Sequence, residues 1–308
     1  MAYQRHEYKR RPCAGRQHFG ESVTREDPSK AGSFVQTAGK RVFYRKAGSG
    51  QPIILLHGFP ASSYNWRRLL PPLSKLGMVI APDIYGFGYS DALSDPVPAA
   101  AKLAGFMESF TSAMKLDRFA LAGHDWGGAA ALAYAVQNPS KVSKLVLMNM
   151  SVYPDLFEHV RTSPDYAQVR RLATSGLYRG IAGRFMNRRQ VKQLIAPNPN
   201  VVISEDDLDN YLVFVRKGIR NMSTLYSEDS MRLVKETQAK ILQSLPGFDI
   251  PTSIIWAKND PFVPLEHAGR LNRDIRNSKL TFLEDTGHFL MEEKPNEVET
   301  LVAGFLGE

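Results

Sequence analysis

The sequence predicts an α/β fold in which a mostly parallel, doubly wound sheet is interrupted by a helical insertion. Short apolar runs alternate with helical stretches between residues 52 and 148, as they do in consecutive βα units. The alternation stops for 95 residues and resumes at residue 251. The runs at residues 52–56 and 78–81 are continuously apolar, which is typical of strands buried on both faces of a parallel sheet.

The positions of the strands and helices follow from these runs and from the turn residues between them. The expected strands are residues 33–36, 41–46, 52–56, 78–81, 118–122, 144–148, 251–257 and 280–283. The first two flank a glycine turn and predict a hairpin. The expected helices outside the insertion are residues 62–76, 99–116, 264–274 and 295–306.

The chain divides into a basic arm, a core and a cap. Residues 1–32 are polar and rich in Arg and Lys, without hydrophobic periodicity, and predict a disordered arm. Residues 33–150 and 246–308 predict the α/β core, and residues 151–245 predict a helical cap. Residues 161–192 contain eight Arg or Lys residues and only one acidic residue, an Asp. A solvated helix face accounts for them, and binding of a carboxylate or phenolate is the alternative.

The composition favours a globular protein that does not cross a membrane. The chain is 43% hydrophobic and 23% charged, and no apolar run approaches the roughly 20 residues that span a bilayer. Cys13 is the single cysteine, so an intramolecular disulfide is excluded and a cysteine-based metal site is not expected. The N-terminus has no apolar signal-peptide core, and we expect the protein in the cytoplasm.

The net charge of +8 lies almost entirely near the N-terminus. Residues 1–46 contain 11 Lys or Arg and 4 Asp or Glu, which gives +7. An inert tail or extended leader is the favoured interpretation, and an organelle-targeting leader is the alternative. We infer no nucleic-acid binding from this arm.

The most informative stretch is residues 118–138, where Gly123-His124-Asp125-Trp126-Gly127-Gly128 joins a short apolar run to an alanine-rich helical stretch. Glycines two residues before and two after Asp125 allow a turn that holds Asp125 in a strained conformation above the sheet. Ester hydrolases usually carry serine at this position. An Asp that caps the helix is the alternative explanation.

Further chemistry-bearing residues follow the carboxyl ends of other expected strands. His57 and Phe59 follow the strand at 52–56, Asp260 follows that at 251–257, and the last strand leads to His288. Ligands of open parallel sheets bind beyond these strand ends, so we expect the side chains to converge. Nucleophile, acid and histidine in this chain order is the order of the α/β-hydrolase triad.

From about residue 34 to its end, the sequence resembles the α/β-hydrolase superfamily. It is similar in particular to the branch with an aspartate nucleophile, which holds epoxide hydrolases and haloalkane dehalogenases. The motifs that carry the resemblance are HGFP (57–60), GHDWGG (123–128), NDPFVP (259–264) and TGH (286–288). We expect no cofactor and no metal.

The residue types indicate a two-step reaction. A carboxylate is ionised near neutral pH, so Asp125 can attack a saturated carbon directly and form an alkyl ester. His288 then activates a water that cleaves the ester, and Asp260 orients and stabilises the imidazole. The backbone N–H groups of Phe59 and Trp126 are expected to form the oxyanion hole.

Phe59 is the best indication of the leaving group. Haloalkane dehalogenases typically have Asn here, whereas HGFP is found in epoxide hydrolases and in haloacetate dehalogenases. The latter carry Arg after the nucleophile, and this chain has Trp126 there. The resemblance therefore favours hydrolysis of an epoxide to a vicinal diol.

Epoxide opening needs an acid that protonates the departing oxygen, and epoxide hydrolases use cap tyrosines for this. The segment 214–226 resembles the cap segment that carries one of them, which makes Tyr226 the better candidate. Tyr166 and Tyr178 are both candidates for the second tyrosine, and Tyr153 is a weaker one. Packing within the cap is the alternative role for each.

Two other functional classes stay open. Hydrolytic dehalogenation of a haloalkane or haloacid would use the same triad. A biosynthetic isomerase, a cyclase or a ligand receptor would use the fold without hydrolysis. The expected partner is a small, largely apolar, electrophilic substrate, and the sequence leaves the oligomeric state open.

The remaining histidines are expected to be structural. His57 and His124 are interpreted as hydrogen-bonding residues around the loop and the elbow, and Asp83 as a residue that orders its glycine-rich loop. Surface positions are expected for His6, His18, His159 and His267.

Overall fold

The computed structural model describes residues 27–92, 100–162, 186–222 and 228–308. These residues form an eight-stranded sheet with helices on both faces, which confirms the predicted α/β class. The strands are β1 (Ser33–Thr37), β2 (Lys40–Ala47), β3 (Pro52–Leu56), β4 (Met78–Pro82), β5 (Phe119–His124), β6 (Val142–Met148), β7 (Thr252–Ala257) and β8 (Ser278–Leu283).

The sheet runs in the order β1-β2-β4-β3-β5-β6-β7-β8. β1, β2 and β4 pair antiparallel, which confirms the hairpin, and every pair from β4 to β8 is parallel. The chain passes from β3 to β4 on one side and returns to place β5 on the other side of β3. The strand order therefore reverses between β3 and β5, and ligands bind at such a reversal in open α/β sheets.

The helices cover both faces of the sheet, and several of them lie in the described parts of the insertion between β6 and β7. They are α1 (Pro28–Ala31), α2 (Leu70–Leu73), α3 (Ala100–Ala113), α4 (Trp126–Gln137), α5 (Asp155–Thr162), α6 (Arg188–Ile195), α7 (Glu205–Met222), α8 (Glu228–Ser244), α9 (Leu265–Asp274), α10 (Leu290–Glu293) and α11 (Pro295–Gly307). Helices α5 to α8 lie in the segment predicted as the cap, residues 151–245, and we keep that name for it.

The helix predicted over residues 62–76 is wrong. A 3₁₀ turn, Ser63–Trp66, and the single turn α2 take its place. Pro71 and Pro72 stand in the first turn of α2, where their missing N–H groups cost nothing. They cannot donate to a preceding turn, so a continuous helix cannot pass through them.

Two hydrophobic clusters, one on each face of the sheet, form the core. Ile54 and Leu56 of β3 belong to one cluster, and Ile53 and Leu55 belong to the other. This alternation explains why the strand reads as a continuous apolar run, because both of its faces are buried. Within the described part of the chain, no helix is both long and apolar enough to cross a membrane.

Candidate active site

Asp125 occupies a sharp turn between β5 and α4, at the point where the strand order reverses. Its φ of 51° and ψ of −121° lie outside the regions that non-glycine residues favour. The turn is closely packed, since a Cβ atom on Gly127 would lie 2.4 Å from the Leu56 carbonyl oxygen. The glycine spacing and the strain predicted from it are therefore present around Asp125.

The carboxylate of Asp125 is held by backbone N–H groups from two loops. Its Oδ2 atom accepts a hydrogen bond of 2.8 Å from the N–H of Phe59, and the N–H of Trp126 also contributes. A Cβ atom on Gly58 would lie 2.5 Å from the Asp125 Cβ atom, so only glycine allows the loop after β3 to approach this closely. The predicted oxyanion-hole donors thus point at the carboxylate itself.

Asp260 and His288 lie beside Asp125, as their positions after β7 and β8 predict. The Nδ1 atom of His288 is 2.8 Å from Asp260 Oδ2, and its Nε2 atom is 3.9 Å from Asp125 Oδ1. The other oxygen of Asp260 accepts N–H groups of Phe262 and Val263 at 2.7 and 3.1 Å. One oxygen of Asp260 therefore orders the turn that contains it, while the other contacts the imidazole.

The backbone of His288 is fixed by His124, which the sequence indicated as a structural hydrogen-bonding residue, and by Asn149, which was not predicted. Its carbonyl oxygen accepts the Nε2–H of His124 at 2.8 Å and the side-chain amide of Asn149 at 3.0 Å. The amide oxygen of Asn149 accepts the N–H of Ala257 at 2.9 Å. Asn149 follows β6 directly, so examining every strand end for polar residues would have found it.

The surroundings shift the pKa values of the acidic and basic groups. Burial raises the pKa of Asp125 to about 6, although the charge of His288 and the N–H groups of Phe59 and Trp126 oppose it. Burial lowers the pKa of His288, but Asp260 and Asp125 outweigh it and the net shift is upward. The carboxylate and the imidazole therefore stabilise each other in their charged forms.

Aromatic side chains surround the carboxylate. Phe59 and Trp126 stack with ring centroids 4.8 Å apart, and Phe87 meets both rings edge to face. Phe262 meets the ring of His288 in the same way at 5.2 Å. These walls are apolar apart from the indole N–H, which suits an apolar ligand.

The chain is matched from residue 51 to residue 295 by the model of the alpha/beta hydrolase fold family. This protein is an α/β hydrolase. It is 30% identical over 284 residues to a soluble epoxide hydrolase of Corynebacterium sp. (strain C12), with 84% of this chain and 91% of the relative covered. It is 28% identical over 285 residues to the 2-hydroxy-6-oxo-2,4-heptadienoate hydrolase of Pseudomonas putida F1, with 90% and 97% covered.

Solved structures of α/β hydrolases match the fold of this one along most of the chain. A ligand-free epoxide hydrolase matches with a TM-score of 0.65 and 25% identity, covering 90% of this chain and 98% of its own. An ancestral haloalkane dehalogenase matches with a TM-score of 0.73 and 22% identity, covering 89% and 98%. The same fold thus carries several reactions, and the choice between them depends on individual residues.

The predicted cap tyrosines, Tyr226, Tyr166 and Tyr178, lie outside the residues that the structure describes. Tyr153 lies within them and is engaged elsewhere. Its hydroxyl donates to Asp274 Oδ2 at 2.6 Å, and the guanidinium of Arg270 lies 3.7 Å from its ring centroid. Burial and Asp274 raise the pKa of Tyr153, so it is a poor proton donor.

His57 and Asp83 have the structural roles expected of them. His57 accepts the N–H of Ile84 at 3.0 Å and donates to the carbonyl of Gly58 at 2.9 Å, and burial lowers its pKa. Asp83 is buried and accepts N–H groups of Ser63 and Tyr89, each at 2.7 Å. These contacts tie the loops after β3 and β4 together and support the Phe59 N–H.

The surface position expected for His267 is wrong. His267 is 2% exposed, with its Nε2 atom 3.3 Å from Asp155 Oδ2 and its ring 5.2 Å from that of Tyr153. Asp155 lies 112 positions away in the cap, so the contact has no local signal in the sequence. His267 connects the first cap helix to α9 and does not reach Asp125.

A buried polar cluster fastens the cap helix α7 to the core beside the site. The carboxylate of Glu292 binds the guanidinium of Arg67 and the hydroxyl of Tyr211, whose oxygen also lies 2.6 Å from Asn65 Oδ1. Asp207 accepts from the Nε–H of Arg67 at 2.8 Å. The charges are paired, as buried charges require, and they fix where α7 lies above the sheet.

Within the described ranges, no group of three His, Cys, Asp or Glu side chains is arranged to hold a metal ion. Among the described residues, the polar groups near Asp125 include the imidazole of His288, the carboxylate of Asp260 and backbone N–H groups. This set suits nucleophilic substitution and hydrolysis of an ester.

Proposed function

We propose that this α/β hydrolase opens epoxides to vicinal diols through an alkyl ester on Asp125. One observation carries the proposal. A carboxylate stands at the strained turn, with Oδ2 held by the N–H of Phe59 and Oδ1 3.9 Å from His288 Nε2. The relative that is named a soluble epoxide hydrolase, 30% identical to this chain, supports the same assignment.

A carboxylate nucleophile favours substitution at saturated carbon over acyl transfer. Attack of Asp125 on an ester or ketone carbonyl would lead to an anhydride, which is higher in energy than the starting acyl group. Attack on an epoxide carbon gives an ordinary ester and releases ring strain. This chemistry argues against the cleavage of a carbon–carbon bond next to a carbonyl, the type of reaction that the name of the Pseudomonas relative suggests.

In the first step, Asp125 Oδ1 forms a bond to an epoxide carbon as the bond from that carbon to the ring oxygen breaks. The ring oxygen takes the electron pair and a proton from an acid. Tyr226, with Tyr166 or Tyr178, is the proposed source of that proton. The hydroxyl of Tyr153 donates a hydrogen bond to Asp274 and is not proposed as the acid.

In the second step, His288 takes a proton from a water as its oxygen attacks the ester carbonyl carbon. The charge that develops on Oδ2 is stabilised by the N–H group of Phe59, which already donates to this atom, and by that of Trp126, which donates to the same carboxylate. The bond between the acyl carbon and the alkyl oxygen then breaks. The departing diol takes the proton from His288, and the Asp125 carboxylate is restored.

Hydrolytic dehalogenation is the second candidate, because the same three residues would perform it. The ancestral haloalkane dehalogenase has the same fold, which alone does not decide the reaction. A halide needs N–H donors around it, and the side chain of Phe59 offers a ring face stacked on Trp126. We therefore place dehalogenation second.

The test is to supply styrene oxide and a short 1-bromoalkane in parallel and to follow diol and bromide. The proposal predicts diol from the epoxide and its loss in the Asp125→Ala variant. Bromide without diol would replace the proposal by dehalogenation. Neither product, together with tight binding of a ligand, would favour a receptor or a non-hydrolytic isomerase.

A further inference from the structure

Glu293 lies against the loop that carries His288, at the end of the single-turn helix α10. Its Oε1 atom accepts the N–H of Gly287 at 3.0 Å. A Cβ atom on Gly287 would lie 2.7 Å from this oxygen and 3.1 Å from the Pro197 side chain of the cap. The loop before His288 is thus confined between a carboxylate and a cap residue.

The carboxylate of Glu293 is partly buried among the charged groups of the site. Burial raises its pKa to about 7, and the charge of Asp260 acts in the same direction. The Gly287 N–H and the charges of His288 and Lys294 oppose this shift. Glu293 therefore changes its charge close to neutral pH.

The same charges act on His288 in return. Burial lowers the pKa of His288, whereas the negative charges of Asp260, Asp125 and Glu293 raise it. The neighbouring ring of His124, 4.6 Å away, stays neutral because burial keeps its pKa well below the usual value. Glu293 is thus the one of these negative groups that is neither the nucleophile nor bonded to the imidazole.

We propose that Glu293 is a positioning residue that holds the loop of His288 and, through its charge, raises the pH at which His288 becomes a base. The consequence for turnover rests on the proposed function, since His288 must be neutral to activate water. Ionised Glu293 favours the imidazolium, so its charge moves the onset of ester hydrolysis to higher pH.

Glu293→Gln separates the two contributions of this residue. The amide oxygen of Gln can still accept the N–H of Gly287, so the loop keeps its hydrogen bond. The negative charge is gone, so the pKa of His288 is expected to fall by about half to one pH unit. A residue that only braces the loop would leave that pKa where it was.

Glu284→Gln is the matched control. It removes one negative charge from the end of β8, near the same loop, where the side chain is 66% exposed and paired with Lys258. Solvent screens charges at such positions. The pKa of His288 is expected to be the same in this variant as in the unmodified protein.

The measurement is an NMR titration of the His288 imidazole in the three proteins without substrate. A lower pKa in E293Q alone supports the inference, and the same pKa in E293Q and the unmodified protein overturns it. In the unmodified protein, coupling to Glu293 should broaden the His288 curve. If E293Q does not fold, the Glu293 carboxyl is titrated in the unmodified protein instead. A Glu293 pKa near the ordinary 4.5, with no change in the His288 signal as Glu293 ionises, overturns the inference.

The acidic limb of kcat for an epoxide gives the second readout, and in E293Q it is expected to move to lower pH by the same amount. The two measurements distinguish failure of the proposed function from failure of the proposed role of Glu293. Absence of diol in every variant would refute the proposed function and leave the titration valid. A diol-forming enzyme with an unshifted His288 pKa would refute the role of Glu293 alone.

Discussion

The Nε2 atom of His288 lies 3.9 Å from Oδ1 of Asp125, so the imidazole faces the carboxylate without a hydrogen bond of normal length. A serine nucleophile must give its proton to the histidine and therefore sits in hydrogen-bond contact with it. An ionised Asp has no proton to give. The separation fits a histidine that acts on water after the carboxylate has been esterified.

The pH dependence of kcat/KM should report the ionisation of Asp125 in the free enzyme. Burial raises its pKa to about 6, and only the carboxylate is a nucleophile. We expect kcat/KM for an epoxide to be level above that pH and to fall about tenfold per pH unit below it. A profile that stays level down to pH 5 would contradict the raised pKa.

Asp260→Asn should slow ester hydrolysis far more than ester formation. The amide cannot stabilise the imidazolium and allows the wrong tautomer, an effect of about 10⁴-fold on kcat in a serine-protease triad. Rapid quenching separates formation of the alkyl-enzyme from its breakdown. Asp285→Asn is the control, because Asp285 is exposed in the loop that carries His288 and Asn tolerates its φ of 44°. Equal breakdown rates in D260N and D285N would argue against the role of Asp260.

Gly58→Ala should abolish most of the activity. The new Cβ atom would lie 2.5 Å from the Asp125 Cβ atom and 2.6 Å from its Oδ2 atom, so the loop and the Phe59 N–H must move. Loss of one oxyanion donor reduces kcat by about 10²- to 10³-fold. Gly247→Ala is the control, since nothing lies within 4 Å of the Cβ position there. Equal kcat values for G58A and G247A would show that the close approach of Gly58 to Asp125 is not required.

Glu292→Gln should destabilise the protein strongly. The carboxylate is fully buried and neutralises Arg67, so its loss leaves Asp207 as the remaining carboxylate paired with Arg67 among the described residues. Breaking such a pair costs about 3–5 kcal/mol, whereas Glu297→Gln, at an exposed pair with Lys294, should cost less than about 1 kcal/mol. Calorimetry of both variants compares them, and equal Tm values would refute the importance of this cluster.

The sheet and the three proposed triad residues could be predicted because their signals are local. β3 is a continuous apolar run since both of its faces are buried, and Asp125 stands among glycines that the turn requires. The prediction of a helix over residues 62–76 was wrong because it ignored Pro71 and Pro72, which a continuous helix cannot include.

The contacts that fix His288 could not be predicted in the same way. Asn149 could have been found as the polar residue directly after β6, but its contact with His288 depends on the order of the strands, and the contact of Glu293 depends on the length of α10. His267 was expected at the surface because its partner, Asp155, is distant in the chain. Such contacts depend on packing between elements, which a single sequence does not specify.

The central claim is that Asp125 forms a covalent alkyl ester, and its most direct test is the intact mass of the His288→Gln variant after incubation with styrene oxide. We predict a mass increase equal to one substrate, located by peptide mapping on Asp125 and absent from Asp125→Ala. Diol formation by His288→Gln at the rate of the unmodified protein, with no adduct on Asp125, would contradict the claim.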